Sequence, residues 1–261
     1  MSLSIAIRAW SVINGPAELP PALNRKLRRA DGLTCSVAAA AEQALAGIED
    51  RQEIGVLAGF GPGPMETGFR FIDGLLDHGE DNGSPTLFSH SVHNIPAGYA
   101  ASLCGLQGPA LTLTSFTWPF FSALAEAHCL LSQGRTRRAL VLGGEDASPV
   151  MDDALTRDQV AAPWSQGAVA WLLEAVEAPS PGPILKSISV EDHPCDPRLL
   201  LSREGERGEG PGLPLGPGPN PLTTAWTITG QLPHGAGTWR ITAPFGAMEM
   251  TIASEPIAPP Q

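Results

Sequence analysis

The feature that most constrains the fold is the alternation of short apolar runs with helical patterns along the first two thirds of the chain. Ser2 to Ile13 places Leu3, Ile5 and Ile7 at every second position, the period of a strand with one buried face. Residues 34–48, rich in alanine and closed near Gly47, read as a helix that packs through small side chains. Glu53 to Gly59 carries Ile-Gly-Val-Leu-Ala, a short buried strand, and the loop after it holds Gly61, Pro62, Gly63 and Pro64. Gly108 to Ser115 is a further strand, and Phe121 to Gln133 is a helix with Leu124, Ala127 and Leu131 on one stripe, closed by Gly134. Strands follow at Ala139 to Gly143, Gln166 to Glu174 and Pro183 to Val190. This order predicts an α/β layered fold with a largely parallel sheet.

Composition then shifts. Residues 201–221 are dominated by Gly, Pro, Glu and Arg, too polar to bury a core, and are expected to be a flexible linker. Beyond it, Thr223 to Thr229, Thr238 to Thr242 and Met248 to Ala253 are runs of β-formers, with Trp226 and Trp239 to pack them. The expected organisation is a main domain over 1–200, the linker, and a small β extension over 222–261 that packs on the main domain.

Bulk properties exclude several functions. A net charge of −11 opposes nucleic acid, and the basic clusters Arg25-Lys26-Leu27-Arg28-Arg29 and Arg135-Thr136-Arg137-Arg138 read as solvated faces. No run of about 18 apolar residues is present to span a bilayer. The start, Met-Ser-Leu-Ser-Ile-Ala-Ile-Arg, lacks the pattern of a signal peptide, so the expected compartment is the cytoplasm. Cys35, Cys104, Cys129 and Cys195 are too dispersed for a zinc site or a disulfide scaffold and read as reduced, mostly buried thiols.

Familiar chemistries fare no better. A phosphate cradle at Gly59-Phe60-Gly61-Pro62-Gly63-Pro64 would need backbone N–H groups, and two of these positions are proline. No Gly-x-Ser-x-Gly elbow occurs. His90 and His93 have a spacing that serves a metal on a helix, but Asn94 and Pro96 place them in a loop or helix start without a third ligand. Asp152 and Asp153, with Glu145 and Asp146 nearby, read as solvated surface acids. Neither a metal nor a cofactor is expected.

The informative stretch is 86–146. Phe88-Ser89-His90-Ser91-Val92-His93-Asn94 leads to Gly105-Leu106-Gln107-Gly108-Pro109, a strand ending Thr114-Ser115-Phe116-Thr117, a helix, and Val141-Leu142-Gly143-Gly144-Glu145. Over roughly residues 3–175 this resembles the N-terminal half of the β-ketoacyl synthases of the thiolase-like superfamily. The Ser91-Val92-His93-Asn94 segment is similar to that of a short subgroup that accompanies true ketosynthases in aryl-polyene and related pigment pathways. The resemblance implies a thiolase-like half, here with a small C-terminal β appendage. It also implies that the family's nucleophilic cysteine falls on Thr117, and that the family's two histidines belong to a C-terminal half with no recognisable counterpart here.

A threonine hydroxyl has no thiolate-like anionic population near neutral pH. As a structural residue, Thr117 is suited to cap the N-terminus of the following helix, with Pro119 in its first turn. Phe116, Trp118, Phe120 and Phe121 stand where active synthases keep small residues, and two readings of them stay open: plain core, or the wall of an acyl tunnel beside a partner's active site. Two functions follow. One is a non-catalytic, chain-length-factor-like subunit that forms a heterodimer with a full-length β-ketoacyl synthase and meets acyl carrier protein indirectly; Ser91, His93 and Asn94 join the aromatic cluster as its acyl-pocket or interface residues, and a homodimer is possible for the isolated chain. The other is a stand-alone acyltransferase or thioesterase-like enzyme using Thr117, or Ser91 with His93.

Overall fold

The computed structural model describes residues 3–115, 117–146, 148–157, 164, 166–177, 180–193, 207–211, 222–243 and 246–255. Nine described strands form one sheet: β1 (Leu3–Asn14), β2 (Ile54–Phe60), β3 (Ala110–Thr114), β4 (Arg138–Glu145), β5 (Gly167–Glu177), β6 (Gly182–Asp192), β7 (Arg207–Glu209), β8 (Gly237–Ala243) and β9 (Gly246–Glu255). Their spatial order is β3-β2-β4-β5-β1-β6-β9-β8-β7.

The α/β class holds, and the strand directions refine it. Only β3, β2 and β4 run parallel, while every other pairing is antiparallel. β2 and most of β4 are buried on both faces, because helices cover both sides of the parallel core.

Helices α1 (Pro21–Leu27), α2 (Gly32–Ala44), α3 (Met65–His78), α4 (Pro85–His90) and α5 (Ile95–Cys104) precede β3, and α6 (Pro119–Ser132) and α7 (Pro149–Arg157) follow it. α2 and α5 build one core layer with Leu33, Val37, Ala40, Ala41 and Ala100 against Ile54, Val56, Leu140 and Leu142. α6 builds the other layer, where Phe120, Phe121, Leu124 and Leu131 meet Leu57, Val141, Val169 and Trp171. Two adjacent glycines make these layers possible. A side chain at Gly143 would meet Phe120, and one at Gly144 would meet Leu33 and Val37 on the other face. Gly59 does the same in β2, where a β-carbon would run into the Pro119 carbonyl at the start of α6.

The C-terminal segment departs from the sequence reading. Thr223 to Thr229 is not a strand but part of a helix, α8 (Leu222–Gln231). Threonine, isoleucine and tryptophan favour strands, yet Leu222, Ala225, Ile228 and Thr229 recur at helical spacing and are buried, so tertiary packing overrides propensity. Trp171 Nε1 donates to Thr229 Oγ1 at 2.8 Å, and that hydroxyl donates to the Ala225 carbonyl at 2.6 Å.

β8 and β9 join the main sheet through a long β6–β9 ladder rather than forming a layer of their own. Within the expected linker, Arg207–Glu209 is strand β7, paired with β8, and Trp239 Nε1 donates to the Pro211 carbonyl at 3.1 Å. The buried indole gives this polar stretch a packing partner that its composition does not advertise. The rest of 201–221 lies outside the described residues, as does Cys195. Of the other thiols, Cys104 is buried, Cys35 is intermediate and Cys129 is exposed, against the expectation that most are buried.

Candidate functional site

The strand-to-helix unit singled out in the sequence lies at the C-terminal end of the parallel strands. β3 ends at Thr114, and α6 begins at Pro119, whose fixed φ suits the first helical position. Between them Ser115, not Thr117, binds the exposed backbone: its Oγ accepts the N–H groups of Thr117 and Trp118, each at 3.2 Å. The capping role expected of Thr117 is therefore corrected. The Thr117 hydroxyl is buried beside Ser115 Oγ at 3.0 Å and donates to Oδ1 of Asp192 at the end of β6. This aspartate is distant in sequence and nothing in the local pattern pointed to it.

The aromatic residues after Thr117 are core. Trp118, Phe120 and Phe121 are fully buried. Phe120 packs edge-on against Trp171 with ring centres 5.3 Å apart and against Phe121 at 5.5 Å, the geometry that aromatic quadrupoles favour. Phe116 lies outside the described residues.

The second candidate group sits between α4 and α5. The Ser91 hydroxyl donates to the Phe88 carbonyl at 2.9 Å, so the described contacts do not pair it with His93. The His93 ring lies against Gly63, where a β-carbon would fall 2.6 Å from it, and Gly63 has the positive φ of +64° that frees the approach. Asn94 precedes α5 without a side-chain capping bond. His90 Nε2 meets the Tyr99 hydroxyl at 3.3 Å, a structural contact. Among the described residues, no group of His, Cys, Asp and Glu side chains gathers as a metal ion would require.

Glu145, expected among the surface acids, is instead buried, at 1% exposure. Its Oε1 accepts the Gly61 N–H at 3.3 Å, so the glycine-proline loop directs this amide inward to a carboxyl group. Burial, reinforced by the charge of Asp146 and opposed by that hydrogen bond, pushes the Glu145 pKa up to about 8. The available signal was its place directly after the two strand-end glycines. The other acids of this region do lie at or near the surface: Asp153 pairs with Arg157, and Asp152 accepts the Trp164 N–H at 3.1 Å.

Two further features frame the site. Among the described residues β3 is an edge strand paired with β2 alone, and Leu111 on it is 43% exposed; Val92 at 40% and Phe88 at 58% are exposed as well. At the other end of the sheet, a cavity of about 640 Å³ is lined by Asp50, Arg51, Glu53, Arg137, Arg138 and Glu174. Two of its arginines are tied to the protein itself: Arg138 donates to the Glu49 and Asp50 carbonyls, and Arg51 to those of Leu45 and Ile48. No helix among the described residues is long and apolar enough to cross a membrane.

The sequence profile described as beta-ketoacyl synthase, N-terminal domain, matches residues 61–205. No curated protein matches the chain. Among solved structures, a ketosynthase (ApeO) in complex with its chain length factor (ApeC) from Xenorhabdus doucetiae contains a chain similar to this one. The TM-score is 0.61 at 15% identity, covering 95% of this chain and 99% of that one. The ishigamide ketosynthase/chain length factor matches with a TM-score of 0.60 at 18% identity, over 72% of this chain and 67% of that one. A type II polyketide acyl carrier protein in complex with its ketosynthase (AntDE:AntF) matches with a TM-score of 0.59 at 15% identity, over 74% and 70%. At such identities the likeness establishes the fold.

Proposed function

We propose that this chain, which belongs to the β-ketoacyl synthase family through its N-terminal domain, is a non-catalytic partner subunit akin to a chain length factor. It pairs with a complete β-ketoacyl synthase and shapes that enzyme's acyl pocket in a fatty-acid or polyketide pathway of the aryl-polyene type. Acyl carrier protein meets it only through the complex. The observation that carries this reading is the state of position 117. By the resemblance the family's nucleophilic cysteine falls on position 117, and the residue here is a threonine whose hydroxyl partners are Ser115 and Asp192. Neither is a base able to generate an alkoxide near neutral pH, which nucleophilic catalysis from a hydroxyl requires.

Two further features support the partner role. Among the described residues no strand pairs with the outer edge of β3, and an unpaired strand edge invites a strand from another chain. The buried aromatic residues Trp118, Phe120 and Phe121 follow closely on Thr117 and belong to the core cluster against which Leu113 of β3 packs.

The test is co-expression with a complete β-ketoacyl synthase, followed by size-exclusion chromatography and product-length analysis. A stable one-to-one complex and a product length that depends on this subunit are expected. Intact-mass detection of an acyl adduct on Thr117, after incubation of the isolated chain with acyl thioesters, overturns the reading.

A further inference from the structure

The hydroxyl pair at the start of α6 ends on a charge. Ser115 Oγ accepts two backbone N–H groups and lies 3.0 Å from Thr117 Oγ1, and Thr117 in turn donates its proton to Asp192. Asp192 is held there by the sheet: it is the last residue of β6 and pairs with Gly246 of β9. A side chain at Gly246 would strike the Glu191 carbonyl, so the close end of this ladder depends on glycine. Glu191 and His193 flank Asp192 and face each other at 3.9 Å.

The first turn of a helix carries unpaired N–H groups and favours negative charge. In a thiol enzyme this bias, together with neighbouring cationic groups, stabilises the thiolate. Here a carboxylate of the chain itself already stands against the residue at that position.

We propose that Asp192 acts as an internal anion that takes the electrostatic place of a thiolate at the start of α6 and keeps position 117 unreactive toward acyl donors. This deepens the reading of the chain as non-catalytic and rests on it. Two effects combine. A carboxylate beside residue 117 opposes formation of a second anion there, whether a thiolate or the oxyanion of a tetrahedral intermediate. A carboxylate is also too weak a base to remove a hydroxyl proton, so its hydrogen bond orients Thr117 without activating it. Asp192 is therefore a positioning residue and a second barrier to acyl transfer, independent of the missing thiol. Its side chain is exposed, so water screens the effect and confines it to a modest factor.

The test places a thiol at position 117 in the full chain and varies the charge. Thr117→Cys is compared with Thr117→Cys/Asp192→Asn and Thr117→Cys/Asp192→Ser, each checked by thermal melt. Iodoacetamide modification at position 117 is followed by peptide mass spectrometry from pH 6 to pH 10. The single variant is expected to titrate above the ordinary cysteine value of about 8.5, and to react about tenfold more slowly at pH 7 than either double variant. Serine retains a hydrogen-bonding group without charge, so a folding defect in one double variant leaves the other to decide. Equal midpoints and rates in single and double variants overturn the proposal. No partner is involved, so failure here leaves the heterodimer reading standing, and failure of complex formation leaves this result intact.

Discussion

Replacing Glu145 by glutamine removes a buried ionisable group without changing its shape, and this makes folding stability a direct report on the pKa assigned to it. The carboxyl group sits fully buried at the end of β4, and burial raises its pKa to about 8 in the folded chain. In the unfolded chain the value is about 4.3. Between these limits the native state holds one proton more than the unfolded state, so stability falls as pH rises, by about 1.4 kcal/mol per unit. The contribution is fully present below the unfolded value and is lost as pH climbs through the folded one. From pH 5.5 to pH 7.5 the loss is about 2.5 kcal/mol, a large part of the 5–15 kcal/mol typical of a domain. Glutamine retains an oxygen to accept the Gly61 N–H and has nothing to titrate. Urea denaturation at both pH values is expected to show the wild type losing about 2.5 kcal/mol relative to Glu145→Gln, with other titrating groups cancelling in the difference. A difference between the two proteins that is constant with pH refutes the assignment.

The edge of β3 gives a sharper test of association. Leu111→Glu on this partly exposed residue is expected to change the melting transition of the isolated chain little, within about 0.5 kcal/mol, but to abolish complex formation with the ketosynthase in size-exclusion chromatography. Gly59→Ala is expected to cost about 3 kcal/mol or more in chemical denaturation, because the new β-carbon meets the Pro119 backbone. Gly74→Ala in α3, where nothing lies within 4 Å, is expected to be neutral or stabilising by up to about 1 kcal/mol. Trp118→Ala in the assembled complex is expected to shift products toward longer chains at a stability cost of about 3 to 5 kcal/mol, read by product mass and thermal melt.

What the sequence made legible was what local rules control. The period-2 apolar residues of β1, the buried run of β2, the stripe on α6 and the turn glycine at Gly134 all carry their signal within a few residues. The neighbours of each strand were not local. β1 is first in the chain but lies between β5 and β6, and no periodicity encodes that pairing. α8 was missed because its threonines, tryptophan and isoleucine have strand propensity, and only the surface of α6 and β5 makes a helix the better packing choice. At the site, position 117 was legible by counting from Gly108, but its partner Asp192 is 75 residues away and reaches it only through the β1–β6 and β6–β9 pairings. Glu145 was misread because charged residues are almost never fully buried, and the surface prior was reasonable until Gly61 supplied an inward amide.

The same long-range pairings bring the C-terminal elements into the core around α6. Here Leu222, Ala225, Ile228 and Leu232 from α8 and the turn after it, and Trp239, Ile241, Met248, Met250 and Ile252 from β8 and β9, lie in one buried cluster with Trp118, Phe120 and Phe121. A buried leucine or isoleucine contributes about 1.5 to 3 kcal/mol, so losing this layer would exceed the stability of an ordinary domain. Residues 222–255 are therefore expected to be required for folding, whereas among the described residues no strand pairs with the outer edge of β3, which suits it to association. The two requirements are separable. Ile228→Asp is expected to abolish cooperative unfolding of the isolated chain, while Leu111→Glu preserves it and loses the partner. A Leu111→Glu chain that no longer unfolds cooperatively would show that β3 serves the chain's own core, and the edge would have to be dropped as the partner surface.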